Sequence, residues 1–159
     1  MLDIFTVALF GHRWIVEAYQ LEKRLEEQIR SLLERHQYVD FLVGCNGDFD
    51  RMAASTVLRL RKEYAQENVS LSLILPYPTA DYLKNQQAYH AYYSDVEIPF
   101  QASKAHPKAA IQIRNRTMVE RADLILCYVE KEQGGAYQTV RYAVSQGKTV
   151  VNLAVLQND

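Results

Sequence analysis

Apolar residues along this chain follow two alternating periods. Short β-rich runs alternate with stretches in which apolar positions return every three or four residues. The run "DIFTVALF" (3–10) has strand character. From Trp14 to about His36, Leu21, Leu25, Ile29 and Leu32 recur at helical spacing while Glu22, Lys23, Glu26 and Arg30 fill the other face, which predicts a long surface helix. "YVDFLVG" (38–44) is a second strand, and a helix follows from about Phe49 to Gln66 with Met52, Val57 and Leu60 inward. "VSLSLILP" (69–76) is a third strand, stopped by Pro76 and Pro78. Regularity then lapses: a short helix near Asp81 to Tyr92 and a loop up to Pro107 are expected. It returns with a helix from about Lys108 to Arg121, the strand "DLILCYV" (123–129), a helix from about Tyr137 to Gln146 ended by Gly147, and the strand "TVVNLAV" (149–155).

Five apolar strands separated mostly by helices imply βαβ units. The fold class is α/β: a Rossmann-like three-layer sandwich with a mainly parallel five-stranded sheet. Such sheets bind ligands at the carboxyl ends of their strands, where the strand order reverses. The loops after the first, second and fourth strands read "GHRW", "GCNGDFD" and "EKEQGGAYQT".

The 159 residues are the size of one ordinary domain, taken as 1–159. With 48% hydrophobic and 23% charged residues and a formal net charge of -1, no overall basic field points to nucleic acid, so any anionic ligand must be met locally. The apolar N-terminus carries an acid at Asp3 and no basic region or small-residue cleavage site, so it reads as a strand and not a signal peptide. No run reaches the roughly 18 apolar residues of a membrane helix, and no membrane partner is expected. Cys45 and Cys127 lie far apart with no C-x-x-C pair, which disfavours structural zinc and makes a reducing cytoplasm the simplest setting for two free, buried or half-buried thiols.

Two glycine loops carry the candidate chemistry. Gly44 and Gly47 lack Cβ atoms, so a ligand can come close to the backbone beside Cys45, at the start of a helix. Asp48 and Asp50 would repel a phosphate there and suit ribose hydroxyls or a base amine; Asp48 is equally a helix N-cap. Gly134 and Gly135 follow the fourth strand, with Thr139 in the first turn of the next helix, so backbone amides, a hydroxyl and the helix dipole can surround an anion. "GKT" (147–149) is no phosphate-binding P-loop, because the earlier glycine would fall at Tyr142 and the segment runs from helix to strand. The G-x-G-x-x-G fingerprint is also missing after the first strand, which disfavours nicotinamide cofactors. No cofactor and no metal ligand are assigned.

Taken together, "FGHR", "GCNGDFDRMAA", "RNRTM" and "GGAYQT", in this order and at strand ends, resemble the SLOG superfamily. Within it they resemble the YpsA-like proteins, relatives of the lonely-guy (LOG) phosphoribohydrolases and of the Smf/DprA DNA-processing proteins. The resemblance runs from about Ile4 to Leu153. It implies a Rossmann-like fold that binds nucleotides or nucleotide-derived small molecules. LOG enzymes carry an R-K-x-x-M segment with a catalytic arginine; here Arg114 and Met118 match and Asn115 replaces the lysine. Their P-G-G-x-G-T-x-x-E segment is matched by Gly134, Gly135 and Thr139 with one extra residue before the threonine, but Tyr142 stands at the glutamate position. The catalytic carboxylate is absent, and Arg114 is catalytic only if another acid, such as Asp48, Asp50 or Glu120, takes that place.

The candidate ligand contacts are therefore Gly11, His12 and Arg13 after the first strand, with Gly44, Cys45, Gly47, Asp48 and Asp50 after the second. Arg114 and Asn115 join them from the helix before the fourth strand, and Gly134, Gly135 and Thr139 from the loop after it. Helical spacing puts Arg121 and Met118 on the Arg114 face and Arg116 elsewhere, while His36, His90 and His106 read as surface residues. "AYHAYYSD" (88–95) suits a tyrosine-rich homodimer interface or core packing better than a stacking lid over a base. The favoured partner is a nucleotide-like small molecule held by a sensor or regulatory module. The alternatives are a hydrolase cleaving the N-glycosidic bond of a nucleoside phosphate and a protein-interaction scaffold with a vestigial pocket.

Overall fold

In the first strand, β1 (Ile4–Gly11), Val7 and Leu9 face one side of the sheet and Ala8 and Phe10 the other, and all four are buried. A strand covered on both faces must lie inside a three-layer structure. The computed structural model, which describes residues 3–64 and 66–154, shows why. On one face, Leu21, Leu25, Ile29 and Leu32 of α1 (Ala18–Arg35) and Phe49, Ala53, Val57 and Leu60 of α2 (Asp48–Arg61) pack with Val7, Leu9, Phe41 and Val43. On the other, Met118 and Val119 of α6 (Pro107–Arg121) and Ala143 of α7 (Gly135–Ser145) pack with Ala8, Phe10 and Leu42. Each large side chain taken fully out of water contributes about 1.5–3 kcal/mol, so both layers hold the sheet.

The remaining strands are β2 (Tyr38–Val43), β3 (Val69–Ile74), β4 (Asp95–Glu97), β5 (Leu124–Tyr128) and β6 (Thr149–Asn152). Every neighbouring pair is parallel, in the order β4-β3-β2-β1-β5-β6. The α/β, Rossmann-like expectation holds, with six strands in place of five. The extra strand, β4, is only three residues long and has no apolar period to reveal it. Its place is set by hydrogen bonds to β3: Ser94 N–H donates to the Leu71 carbonyl at 2.9 Å, and Leu75 N–H donates to the Glu97 carbonyl at 2.8 Å. The segment expected as one short helix and a loop holds α3 (Ala80–Lys84), α4 (Gln86–Tyr92), β4 and α5 (Phe100–Ser103). The first helix begins at Ala18 rather than Trp14, and α2 ends at Arg61 rather than Gln66. Val155, the last residue of the fifth predicted strand, lies outside the described residues.

The chain steps outward from β1 to β4 and then crosses back to lay β5 on the other side of β1. The strand order therefore reverses between β1 and β5, and the loops after these two strands diverge and leave a crevice. The floor of that crevice is tight. A Cβ on Gly11 would lie 2.2 Å from Cγ of the fully buried Phe49. A Cβ on Gly47 would lie 2.6 Å from the Arg13 Cα, so the loops after β1 and β2 touch backbone to backbone. Substituting Gly11 by Ala is expected to destabilise the protein by about 1–3 kcal/mol through overpacking against Phe49, read as a lower denaturation midpoint. An unchanged midpoint would show that the Phe49 ring relaxes at no cost.

Candidate functional site

A cleft of about 310 Å³ opens at the carboxyl edge of the sheet, between the loops after β1 and β5. It is lined by Phe10, Gly11, His12 and Arg13, by Asn46 and Asp50 from the β2–α2 region, by Ile111, Arg114 and Asn115 of α6, and by Gly134, Gly135 and Ala136. Eight of the thirteen sequence-assigned residues thus share one cavity: Gly11, His12, Arg13, Asp50, Arg114, Asn115, Gly134 and Gly135. Phe10, Asn46, Ile111 and Ala136 were not anticipated. Two of these had a usable signal, since Asn46 lies between assigned positions and Ile111 is one helical turn before Arg114.

Arg114 dominates the site. It is only 3% exposed, yet it makes no ion pair among the described residues. Its Nη1 donates to the Ile74 carbonyl at the end of β3 (2.7 Å), and its Nε donates to Oδ1 of Asn115 (2.8 Å). Nη2 has no acceptor among the described residues, and no fully buried side-chain nitrogen there lacks one. Nη2 is therefore not fully enclosed, and Arg114 lines the cleft. Burial pulls the guanidinium below its ordinary pKa, opposed by the charges of Asp50, Cys45 and Tyr77. Gly44 does not line the cavity but makes room for this arrangement: a Cβ there would stand 3.1 Å from Nη1 of Arg114 and 3.2 Å from Oδ2 of Asp50.

Asp50 is the one carboxylate lining the cleft. Its Oδ2 accepts the Asn46 N–H at 2.9 Å. Burial pushes its pKa up, against the pull of the Asn46 hydrogen bond and of the Arg114 charge. Asp48, by contrast, is turned away and fastens two loops. Its N–H donates to the Arg13 carbonyl (2.8 Å), one carboxylate oxygen accepts the Ile15 N–H (3.2 Å), and the other pairs with Arg51 (2.6 Å). Gly47, rather than Asp48, is the N-cap of α2.

The glycine pair after β5 has open space above it. Gly134 caps α7 at φ 96°, a left-handed conformation that favours glycine, and a Cβ on either glycine would meet no atom within 4 Å. Among the described residues, the N–H groups of Gly135 and Ala136 have no protein acceptor, so they and the positive end of the helix dipole face the cleft. Thr139 is not part of this surface. It is buried, and its hydroxyl donates to the Gly135 carbonyl at 2.8 Å. Cys45 is also outside the cavity, half-buried, with burial pushing its thiol up; Cys127 is buried and its thiol is pushed up to about 12. No group of three or more metal-ligating side chains occurs among the described residues.

The tyrosine-rich segment packs on itself: Tyr82 meets Tyr89 edge to face at 5.3 Å, the Tyr89 hydroxyl donates to Asp81 at 2.5 Å, and Tyr93 packs against the main core. None of its rings lines the cleft. Arg121 pairs with Glu97 at 2.5 Å, away from Arg114. Tyr142, at the position of the LOG glutamate, donates its hydroxyl to Glu120 at 2.7 Å, and the Arg116 guanidinium lies over its ring. Neither Glu120 nor Tyr142 reaches the cleft.

A family model described as the YspA SLOG family, YpsA, matches residues 12–157. The chain belongs to this SLOG family. The fold also matches the X-ray structure of DNA processing protein A (DprA) from Streptococcus pneumoniae, with a TM-score of 0.63 and 16% identity over 92% of this chain and 49% of that one. At that identity the likeness is one of fold, and the chain spans about half the length of that structure. No curated protein matches the chain. No helix among the described residues is long and apolar enough to cross a membrane.

His12, in the "FGHR" segment, ties the two sides of the cleft together. Its Nε2 accepts the backbone N–H groups of Glu130 (2.9 Å) and Lys131 (3.1 Å), which fixes the neutral ring with its proton on Nδ1. Burial lowers its pKa from 6.5, Glu130 opposes that shift, and Lys131 adds to it. A depressed histidine pKa means that the unfolded chain binds the proton more readily. The His12 contribution to stability is therefore complete above about pH 6.5 and is lost as pH falls toward the lowered native value. His12→Gln keeps an acceptor that does not titrate, so its denaturation midpoint is expected to fall less than that of the parent protein between about pH 7 and pH 5. Parallel pH profiles for the two proteins would remove His12 from this role.

Proposed function

We propose that this SLOG domain binds a nucleotide or nucleotide-derived ligand in the β1–β5 cleft and acts as a sensor or regulatory module. The observation that carries this reading is Arg114, a buried cation that lines the cavity with its Nη2 unpaired among the described residues, beside the Gly135 and Ala136 amides at a helix N-terminus, which are likewise unpaired there. A phosphate or similar anion satisfies all three. The guanidinium supplies a charge-assisted bond, the Gly135 and Ala136 amides supply neutral ones, and the dipole of α7 adds to both. Asp50 and Asn46 stand across the cleft, where ribose hydroxyls can donate to the carboxylate. Repulsion keeps the phosphate on the glycine side and so orients the ligand. A protein that holds such a ligand without turning it over can report its concentration through ligand-linked stability.

Gly135 provides the sharper test. Because its Cβ would meet open space, Gly135→Val is expected to fold with an unchanged denaturation midpoint while its side chain blocks the approach to the amides. Affinity for adenosine monophosphate, measured by calorimetric titration, should fall at least about tenfold. Arg114→Ala should lose about 1.5–3 kcal/mol of binding, about ten- to a hundredfold. It should also cost the fold about 1–3 kcal/mol, because the Ile74 carbonyl loses its donor. Full affinity in a folded Gly135→Val protein would contradict this placement of the phosphate.

Asp50 favours a second reading, an N-glycosidic hydrolase. Cleaving a base from ribose phosphate passes through an oxocarbenium-like state and needs a negative group nearby and a base to activate water. Tyr142 supplies neither, but Asp50 lies in the cleft with Arg114. Under the binding reading, incubation with adenosine monophosphate releases little or no free base. Steady release that Asp50→Asn abolishes would establish the hydrolase instead.

A further inference from the structure

The cleft does not end at Arg13. A second lobe of about 360 Å³ is lined by His12, Arg13, Trp14, Lys131, Gln133 and Gly134. It shares His12, Arg13 and Gly134 with the first, so the two adjoin along these residues. Its wall holds the only tryptophan of the chain, and that residue is 77% exposed. Tryptophan is rarely left so open, because its large apolar surface gains from burial. Here the indole has no aromatic or cationic partner and no hydrogen bond among the described residues. The side chain lies in the β1–α1 loop, which Asp48 anchors at Ile15 and Arg13. An indole on an anchored backbone beside a polar cavity is a preformed stacking surface.

Resting on the nucleotide reading of the first lobe, we infer that the ligand is a mononucleotide-type molecule whose aromatic base stacks on Trp14 in the second lobe while its phosphate lies between Arg114 and the Gly135 amide. Gln133 offers both a donor and an acceptor to the base edge, as a purine or pyrimidine requires. Arg13 donates its Nε to the Asn46 carbonyl (3.1 Å) but, like Lys131, makes no ion pair among the described residues, so the other guanidinium nitrogens and the Lys131 ammonium can meet the electron-rich face or ring nitrogens of the base. The chemistry selects a ligand with a flat heteroaromatic group at one end and an anion at the other. Sugar phosphates without a base fill only half of it.

A single tryptophan makes the test direct, because fluorescence excited beyond tyrosine absorption reports on this lobe alone. Adenosine monophosphate, ribose 5-phosphate and inorganic phosphate are titrated into the full chain, followed by both fluorescence and calorimetry. Adenosine monophosphate is expected to quench Trp14, and ribose 5-phosphate to bind more weakly without quenching. Trp14→Ala should weaken adenosine monophosphate binding by roughly five- to a hundredfold and leave ribose 5-phosphate affinity unchanged, while Trp14→Phe keeps most of the nucleotide affinity. Tight nucleotide binding with no quenching and no loss in Trp14→Ala would overturn this subsite and leave the phosphate site standing. Binding of none of the three probes would overturn the nucleotide reading and this inference with it.

Discussion

The site depends on one buried charge. Moving a guanidinium from water into a protein interior is costly, and a paired carboxylate is the usual compensation. Arg114 is instead held by a strand-end carbonyl and a neighbouring amide, Ile74 and Asn115, while Asp50 lies near without forming a direct ion pair. This arrangement offsets the cost of burying the charge only in part. It leaves one guanidinium nitrogen unpaired among the described residues, in a side chain that lines the cleft with Gly135 and Ala136 at the α7 N-terminus. Under the proposed function, an anion completes the set.

The rest of the architecture serves that placement. The reversal between β1 and β5 opens the crevice, Gly11 and Gly47 let the loops close over Phe49 and Arg13, and Gly44 makes room for Arg114 as it crosses from α6 to the end of β3. His12 and Asp48 lock the loops by accepting backbone N–H groups from neighbouring segments. The cleft walls are therefore set before any ligand arrives, which lowers the ordering cost of binding. The aromatic segment around Tyr89 pairs Tyr82 with His90 and Tyr89 with Asp81, and its rings do not line the cleft.

Much of this was legible in the chain itself, for physical reasons that differ by element. The α1 pattern of Leu21, Leu25, Ile29 and Leu32 is buried as its spacing required, because a helix against a sheet must show one apolar stripe. β4 was invisible because an edge strand of three residues is specified by its partner's hydrogen bonds and not by its own pattern. Gly11, Gly134 and Gly135 line one cleft, whereas Gly44 and Gly47 lie outside its lining. Thr139 and Asp48 show the limit of that reasoning. Asp48 opens α2 and Thr139 lies one turn into α7, both at suggestive positions, yet the Thr139 hydroxyl is spent on the Gly135 carbonyl and the Asp48 carboxylate on the Ile15 N–H and Arg51. Side-chain direction within a turn is decided by the nearest backbone group, and sequence spacing does not carry it. Asp50, two residues on, is the acid that reaches the cleft.

Where an anion binds is the deciding question. A ¹H–¹⁵N correlation titration with adenosine monophosphate resolves this residue by residue in the unmodified protein. The predicted result is saturable shifts of the Gly135 and Ala136 amides and of the Arg114 side-chain resonances, with smaller changes at Asn46 and Asp50. Shifts confined to the α2–α4 surface around Arg59, Lys62 and Tyr92, with Gly135 and Arg114 unmoved, would contradict it.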